Sequence, residues 1–361
     1  MKHYNVYLPS YTIGEDAYDE IPNICSSYGK KIIAIGGKTA IEKSKDKILK
    51  SIQGTDLTIL DFIWYGGDSS YENVEKLKNN PIIYEADMIF AIGGGRSLDT
   101  SKTLADIINK PIFTFPTIAS NCAASTSVCV IYGEDKVFKE LYFPKKPANH
   151  TFINTKIIAN SPEIFLWAGI GDAISKEFES ELSSRNDELE HFNAVGIQIG
   201  KVCTEPLVKF GEKALNDCKN NTPSYELEQV ILDIIISTGL VSNLVINDYN
   251  SCLGHSIYYG MTTLKQIEEN HLHGEVVAYG TLVLLTCDKQ YEKLDTLYKL
   301  YKSITLPTKL ADLEVSTDDL KKVITKALET GDIKHVPYEI TYDMIYNSIM
   351  ELEEYNKKMD N

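Results

Sequence analysis

Between Lys31 and Phe115 the chain passes repeatedly through one short cycle: an apolar run, a glycine-rich break, then residues at helical spacing. Lys31–Ile35 (KIIAI) ends at Gly36-Gly37 and is followed by helical spacing from Ala40 to Ile52. Leu57–Trp64 (LTILDFIW) is closed by Tyr65-Gly66-Gly67-Asp68-Ser69-Ser70, and Asn73–Lys78 begins another helix. Ala86–Ile92 (ADMIFAI) again ends in glycines, and Pro111–Phe115 (PIFTF) reads as a fourth strand. Strands separated by helices have to cross over before pairing, which makes a parallel α/β sheet. Runs with no polar alternation fit central strands covered on both faces.

Past Pro162 the strand signal nearly vanishes. Ile164–Phe178, Asp187–Lys213, Glu226–Asp248 and Gly274–Tyr291 carry apolar residues at three-to-four spacing. Turn signals such as Asn220-Asn221-Thr222-Pro223 separate them. The reading is an α/β domain over 1–160 and a helical domain over 161–361, with the break near Ile157–Pro162. A length of 361 residues suits two domains, and 43% hydrophobic residues suffice for two cores. The polar tail Met350–Asn361 reads as a fraying helix end.

A net charge of -15 repels phosphate backbones and anionic bilayers, so neither nucleic acid nor a membrane is expected as partner. No stretch approaches the about 20 uninterrupted apolar residues of a membrane helix, and the start lacks the basic and apolar regions of a signal peptide. Seven scattered cysteines without a CxxC pair read as reduced thiols of a cytoplasmic protein.

Three segments carry chemistry. The first is Ile92-Gly93-Gly94-Gly95-Arg96-Ser97-Leu98-Asp99-Thr100-Ser101-Lys102, with a buried strand leading in and a helix leading out. Glycines let the backbone approach a ligand, and the N–H groups opening a helix suit a pyrophosphate. The alternative is a tight strand–helix turn with no ligand. Asp99 and Lys102 are either a surface ion pair or shape the loop. The second segment, Ala168–Lys176, puts Asp172 at the start of a helix, where a carboxylate also serves as N-cap. The third comprises His255 and His273, each beside a glycine. One carboxylate and two imidazoles can make a three-ligand divalent site with open positions, although lone histidines are more often ordinary packing residues.

These segments, in this order, resemble the iron-containing alcohol dehydrogenase superfamily and its glycerol-dehydrogenase-like group. The markers are GGGRSLDTSK at 93–102, FPTIAS at 115–120, SVCVIY at 127–132, AGIGDAISKEFES at 168–180, GHSIYYGMT at 254–262 and HLHGEVVAYG at 271–280. The resemblance implies a parallel-sheet nucleotide-binding domain, an all-α C-terminal domain (the dehydroquinate-synthase-like fold) and an active site in the cleft between them. It implies that Asp172, His255 and His273 hold one divalent metal, zinc or iron, through which they act in catalysis. It implies NAD or NADP on Gly93, Gly94, Gly95 and Ser97, with Gly37, Lys38, Asp99, Thr117, Ser120, Val128 and Tyr132 also facing the cofactor. His271 falls outside the ligand positions; its spacing to His273 either sets it behind the ligands or, as the preferred reading, leaves it facing solvent. The partner is a small-molecule substrate, and the family suggests a homo-oligomer.

Two positions depart from the pattern. Where glycerol dehydrogenases usually carry an Asp facing the substrate, this chain has Cys122, similar to the hydroxycarboxylate dehydrogenase branch that reduces 2-oxo acids. At the end of the first strand Gly36-Gly37-Lys38-Thr39 offers no carboxylate to repel a 2′-phosphate, which leans toward accepting NADP. The expected activity is hydride transfer between NAD(P) and a small alcohol or polyol, or its carbonyl form. The alternatives are a 2-oxo acid reductase and, in another class, a metal- and NAD-binding sugar-phosphate cyclase (a lyase).

Overall fold

In the computed structural model, which describes residues 4–133 and 137–359, the four apolar runs form adjacent strands of one parallel sheet. The strands are β1 (Tyr11–Gly14), β2 (Lys31–Gly36), β3 (Thr58–Trp64), β4 (Met88–Gly93) and β5 (Ile112–Pro116), then β6 (Cys129–Tyr132), β7 (Phe138–Tyr142) and β8 (His150–Asn154). Six of them pair in the order β1-β8-β5-β4-β2-β3, all parallel. β6 and β7 make a separate antiparallel pair. β2, β4, β5 and β8 are buried along nearly their whole length because both faces are covered, and the first three are largely apolar. Phe90, Phe113, Phe115 and Phe152 meet across three strands, with the Phe90 and Phe115 rings 4.7 Å apart and Phe115 stacked on Phe152 at 5.0 Å.

The chain divides into two compact units, residues 1–163 with 217–243, and residues 164–216 with 244–361. The first unit holds both sheets. It also takes in a helical segment that a single break near 157–162 would have assigned to the second part. All but the last residue of Tyr225–Leu244 belongs to it, a stretch long and apolar enough by composition to cross a membrane but mostly buried inside the protein. It is not one regular helix, because a π turn at Asp233–Ser237 separates Tyr225–Leu232 from Thr238–Leu244.

The second unit is helical. Its longest element, Glu163–Ser184, is flanked by Leu253–Met261 and His273–Cys287, which carry the two marker histidines. The long periodic stretches are broken more often than periodicity indicates. Asp187–Lys213 splits into His191–Gly200 and a helix over Glu205–Lys219, and Gly274–Tyr291 ends at Cys287 before a new helix opens at Tyr291. The polar tail is helical through Met359, and its last two residues lie outside the described residues.

Candidate functional site

The sheet order reverses between β2 and β4: β3 lies to one side of β2, and β4, β5 and β8 follow on the other. Parallel sheets bind ligands beyond the carboxyl ends of the strands at such a switch point. The two glycine segments meet there. Gly36 pairs with Ile92, and the Gly37 N–H donates to the Ile92 carbonyl at 3.3 Å. A Cβ on Gly36 would stand 2.5 Å from that carbonyl. Gly93 has a φ of +139°, and a Cβ there would meet Ser97 Oγ at 2.3 Å, so the loop requires glycine. Helix Gly95–Ile107 starts directly behind it with Gly94 as N-cap. The Ser97 hydroxyl turns inward to the Ile92 and Gly94 carbonyls at 2.9 and 3.1 Å, leaving its backbone N–H as the group on offer at the helix start.

Asp99 and Lys102 are not a surface pair. Both are buried, their charges lie 3.1 Å apart, and together they fasten the turn around Thr126 and Val128 and the strand β6 that follows it. Lys102 Nζ donates to the Thr126 and Val128 carbonyls at 3.1 and 2.7 Å, and Asp99 Oδ2 accepts the Val130 N–H at 3.0 Å. Asn243, which sequence reading did not single out, holds the same turn from the other side. Its Nδ2 donates to the Ser125 carbonyl at 2.8 Å, and its Oδ1 accepts the Ser127 N–H at 2.9 Å. Thr117 is buried, with its N–H on the Gly93 carbonyl at 3.1 Å. Ser120 and Cys122 sit half-buried in the turn. Tyr132 lies beneath the Arg96 guanidinium at 5.1 Å, and Lys38 Nζ lies 4.7 Å above the exposed Trp64 ring.

In the second unit the marker glycines are crossing points. Asp172 is not at a helix start: it lies in the interior of Glu163–Ser184, and Gly171 beside it is where two helices touch. A Cβ on Gly274 would stand 1.9 Å from the Ala168 carbonyl, and one on Gly171 would stand 2.4 Å from the Gly274 carbonyl. Gly280 crosses Gly254 as closely, at 2.3 Å from its carbonyl. These contacts bring three helices close enough for Asp172, His255 and His273 to offer one donor atom each, all within 4.8 Å of one another. His273 Nε2 is 3.2 Å and His255 Nε2 3.8 Å from Asp172 Oδ1.

Two further groups surround this cluster. Glu179, fully buried, accepts from His255 Nδ1 at 2.6 Å. Lys176 donates to the Asn250 carbonyl and side chain at 2.8 and 3.0 Å. Asp172, Lys176 and Glu179 stand at i, i+4 and i+7, a polar stripe in a buried helix, and that spacing was the available sequence signal. His271 does not face solvent. Its side chain is 8% exposed, with Nδ1 2.8 Å from Glu275 Oε1 on the next turn. The Tyr258 ring meets His273 edge-on at 4.4 Å.

Burial alone pushes the Asp172 carboxyl up, but His273, His255 and Lys176 outweigh it and hold it below the usual range. Burial pushes His255 down, and the Glu179 charge outweighs that and raises it. A pocket that draws protons onto a nearly buried imidazole also draws a cation. The donor set of one carboxylate oxygen and two imidazole nitrogens fits a divalent metal. The His273 side chain remains 42% exposed, so the cluster has an open side.

Known proteins resemble this chain in sequence and in fold. The family described as iron-containing alcohol dehydrogenase matches residues 9–153. The glycerol dehydrogenase of Thermotoga maritima is 31% identical over 307 residues, 82% of each chain. Hydroxycarboxylate dehydrogenase A of Escherichia coli K12 is 29% identical over 90% of each chain. The crystal structure of glycerol dehydrogenase from Schizosaccharomyces pombe superposes with a TM-score of 0.88 at 26% identity, covering 99% of this chain and 92% of that one. With the motifs in order along one chain and the fold shared from end to end, the protein belongs to the iron-containing alcohol dehydrogenase family, in its glycerol-dehydrogenase-like group.

Proposed function

We propose that the protein is a metal-dependent dehydrogenase that oxidises a polyol of the glycerol class with NAD and reduces the corresponding carbonyl in reverse. The observation that carries this reading is the gathering of the Asp172, His255 and His273 donors within 4.8 Å. Similarity to glycerol dehydrogenases along most of the chain supports it.

In this reading Asp172 contributes a carboxylate oxygen and His255 and His273 an imidazole nitrogen each. A divalent metal bound there supplies Lewis acidity, which favours loss of the substrate hydroxyl proton. NAD supplies the hydride acceptor. The chain's own part is placement. Gly93, Gly94 and Gly95 admit the pyrophosphate to the N-terminus of the Gly95–Ile107 helix, where the Ser97 N–H receives it. Thr117, Ser120 and Val128 flank the nicotinamide half, and Asp99 and Lys102 hold their turn rigid. Cys122 faces the substrate. Gly37 and Lys38 receive the adenosine ribose, and with no carboxylate beside Lys38 the site accepts NADP as well as NAD.

The test is a chelator-stripped enzyme reconstituted with zinc or ferrous iron, with the change in NAD(P)H absorbance recorded. Glycerol with NAD or NADP is run against 2-oxo acids with NADH or NADPH. Glycerol turnover restored by metal is expected, and His273→Ala should lose roughly 10³-fold, the equivalent of several kcal/mol of transition-state stabilisation. Undiminished activity of stripped His273→Ala would sink the metal reading. A preference for 2-oxo acids would replace the polyol.

A further inference from the structure

Glu179 is a carboxylate in the second unit's core with no exposure and three donors on it, all from a single short segment. Its Oε1 accepts the Cys252 and His255 N–H groups at 2.8 and 2.9 Å, and its Oε2 faces His255 Nδ1 at 2.6 Å. The first two bonds satisfy donors that the opening turn of Leu253–Met261 leaves without intrahelical partners. Cys252, the N-cap residue, makes no side-chain cap, so a neighbouring helix provides the oxygen instead. Gly254 makes room for it: a Cβ there would stand 3.0 Å from Glu179 Oε1. One turn before Glu179, Lys176 ties Asn250 to the same helix, so the approach to the His255 turn is held at both ends.

The third bond carries the inference. A carboxylate only accepts, so Nδ1 of His255 has to carry the proton, and the neutral ring then keeps its lone pair on Nε2. Nε2 is the nitrogen 3.8 Å from Asp172 Oδ1, inside the candidate metal cluster. We propose that Glu179 is a positioning residue that fixes the tautomer and ring orientation of His255, and so sets the affinity of the Asp172, His255, His273 cluster for its metal. The proposal rests on the metal reading above and deepens it.

Glu179→Gln separates this role from that of a plain helix cap. The amide oxygen can still accept both backbone N–H groups. Its NH₂ then faces His255 Nδ1 and donates to it, which moves the ring proton to Nε2 and removes the lone pair from the cluster. A cap alone predicts unchanged metal binding, whereas a tautomer switch predicts loss. Zinc affinity of wild type and Glu179→Gln is measured by competition with a chromophoric chelator, alongside thermal melts of both metal-free proteins and long-range ¹H–¹⁵N spectra of the imidazoles. Glu179→Gln is expected to melt close to wild type, to bind zinc about 10- to 100-fold more weakly, and to show His255 protonated at Nε2. Equal zinc affinity in the two proteins overturns the proposal. So does a wild-type spectrum with the His255 proton on Nε2, which decides the matter even if the variant does not fold. Wild type that binds no zinc, with the Nδ1 proton in place, sinks the metal reading and leaves the orientation standing.

Discussion

One of the two departures from the family pattern, Cys122, falls where glycerol dehydrogenases usually carry an Asp. Cys122 stands in a turn held from both sides, by Lys102 on Thr126 and Val128 and by Asn243 on Ser125 and Ser127. A substitution at 122 therefore acts through its own side chain rather than by shifting the turn. A thiol accepts hydrogen bonds weakly and is neutral when protonated, whereas a carboxylate is a strong acceptor for a hydroxyl. Cys122→Asp should raise kcat/KM for glycerol about tenfold, the equivalent of one hydrogen bond to a charged group, and lower it for any 2-oxo acid through like-charge repulsion. Steady-state kinetics on both substrates check this, and a parallel change in the two would show that residue 122 does not discriminate. The site residues differ in how far sequence discloses them. Asp172, His255 and His273 stand in marker segments whose order identifies them. Glu179 lies inside one of those segments too, and only its i+7 spacing from Asp172, with Lys176 between them, sets it apart from an acid on a solvated helix face. Asn243 has no motif at all, because its role comes from a turn more than a hundred residues away.

The elements that carry the cluster are joined through glycines, and this was the harder layer to read. Ala168-Gly169-Ile170-Gly171 looks like a break before a helix, because glycine is a turn signal when only neighbours along the chain are considered. In the folded protein both glycines are helical, and Gly171 serves a close crossing. The same ambiguity hides β1 and β8: four and five residues, too short for a period, become strands only when they pair with each other and with β5. Of the β6–β7 pair, β6 was visible only as part of a marker string and β7 not at all. The crossing predicts an outcome. At Gly280 a methyl would sit 2.3 Å from the Gly254 carbonyl, a backbone atom that cannot rotate away, so the His255 and His273 helices have to separate. Gly280→Ala should destabilise by roughly 1–3 kcal/mol, the usual effect of overpacking, and weaken zinc binding although it touches no ligand. Gly331→Ala, where a Cβ meets nothing within 4 Å, should stay within about 0.5 kcal/mol of wild type. Urea unfolding and chelator competition on both variants make the comparison. Equal stabilities would show that the crossing is slack.

At the scale of the molecule the α/β first part and the helical second part were legible, because a parallel sheet buried on both faces and amphipathic helices write different periods. The allegiance of 217–243 was not, since an apolar helical segment reads the same whichever core it packs on. Stability against acid is also a whole-molecule property, and two effects compete in it. As pH falls from neutrality toward the pI of about 5.0, the net charge of -15 shrinks and self-repulsion weakens, which favours the folded state. Against this stands His150 on β8. It is buried between the Ser10 and Thr12 hydroxyls at 2.7 and 2.9 Å and lies 4.7 Å from the Phe152 ring. Burial lowers its pKa from the usual 6.5 to about 4. The folded protein thus binds fewer protons at this site than the unfolded chain, so the contribution is intact above pH 6.5 and is lost as pH falls through the window down to about 4. Over that window the slope approaches about 1.4 kcal/mol per pH unit, more than scattered exposed charges recover. Between pH 7.5 and 5.5 the metal-free wild type should lose about 1 kcal/mol more than His150→Gln, whose amide can bond to both hydroxyls and cannot charge. Urea midpoints at the two pH values give the difference directly. Equal losses would mean that His150 accepts its proton without strain and that acid sensitivity arises elsewhere.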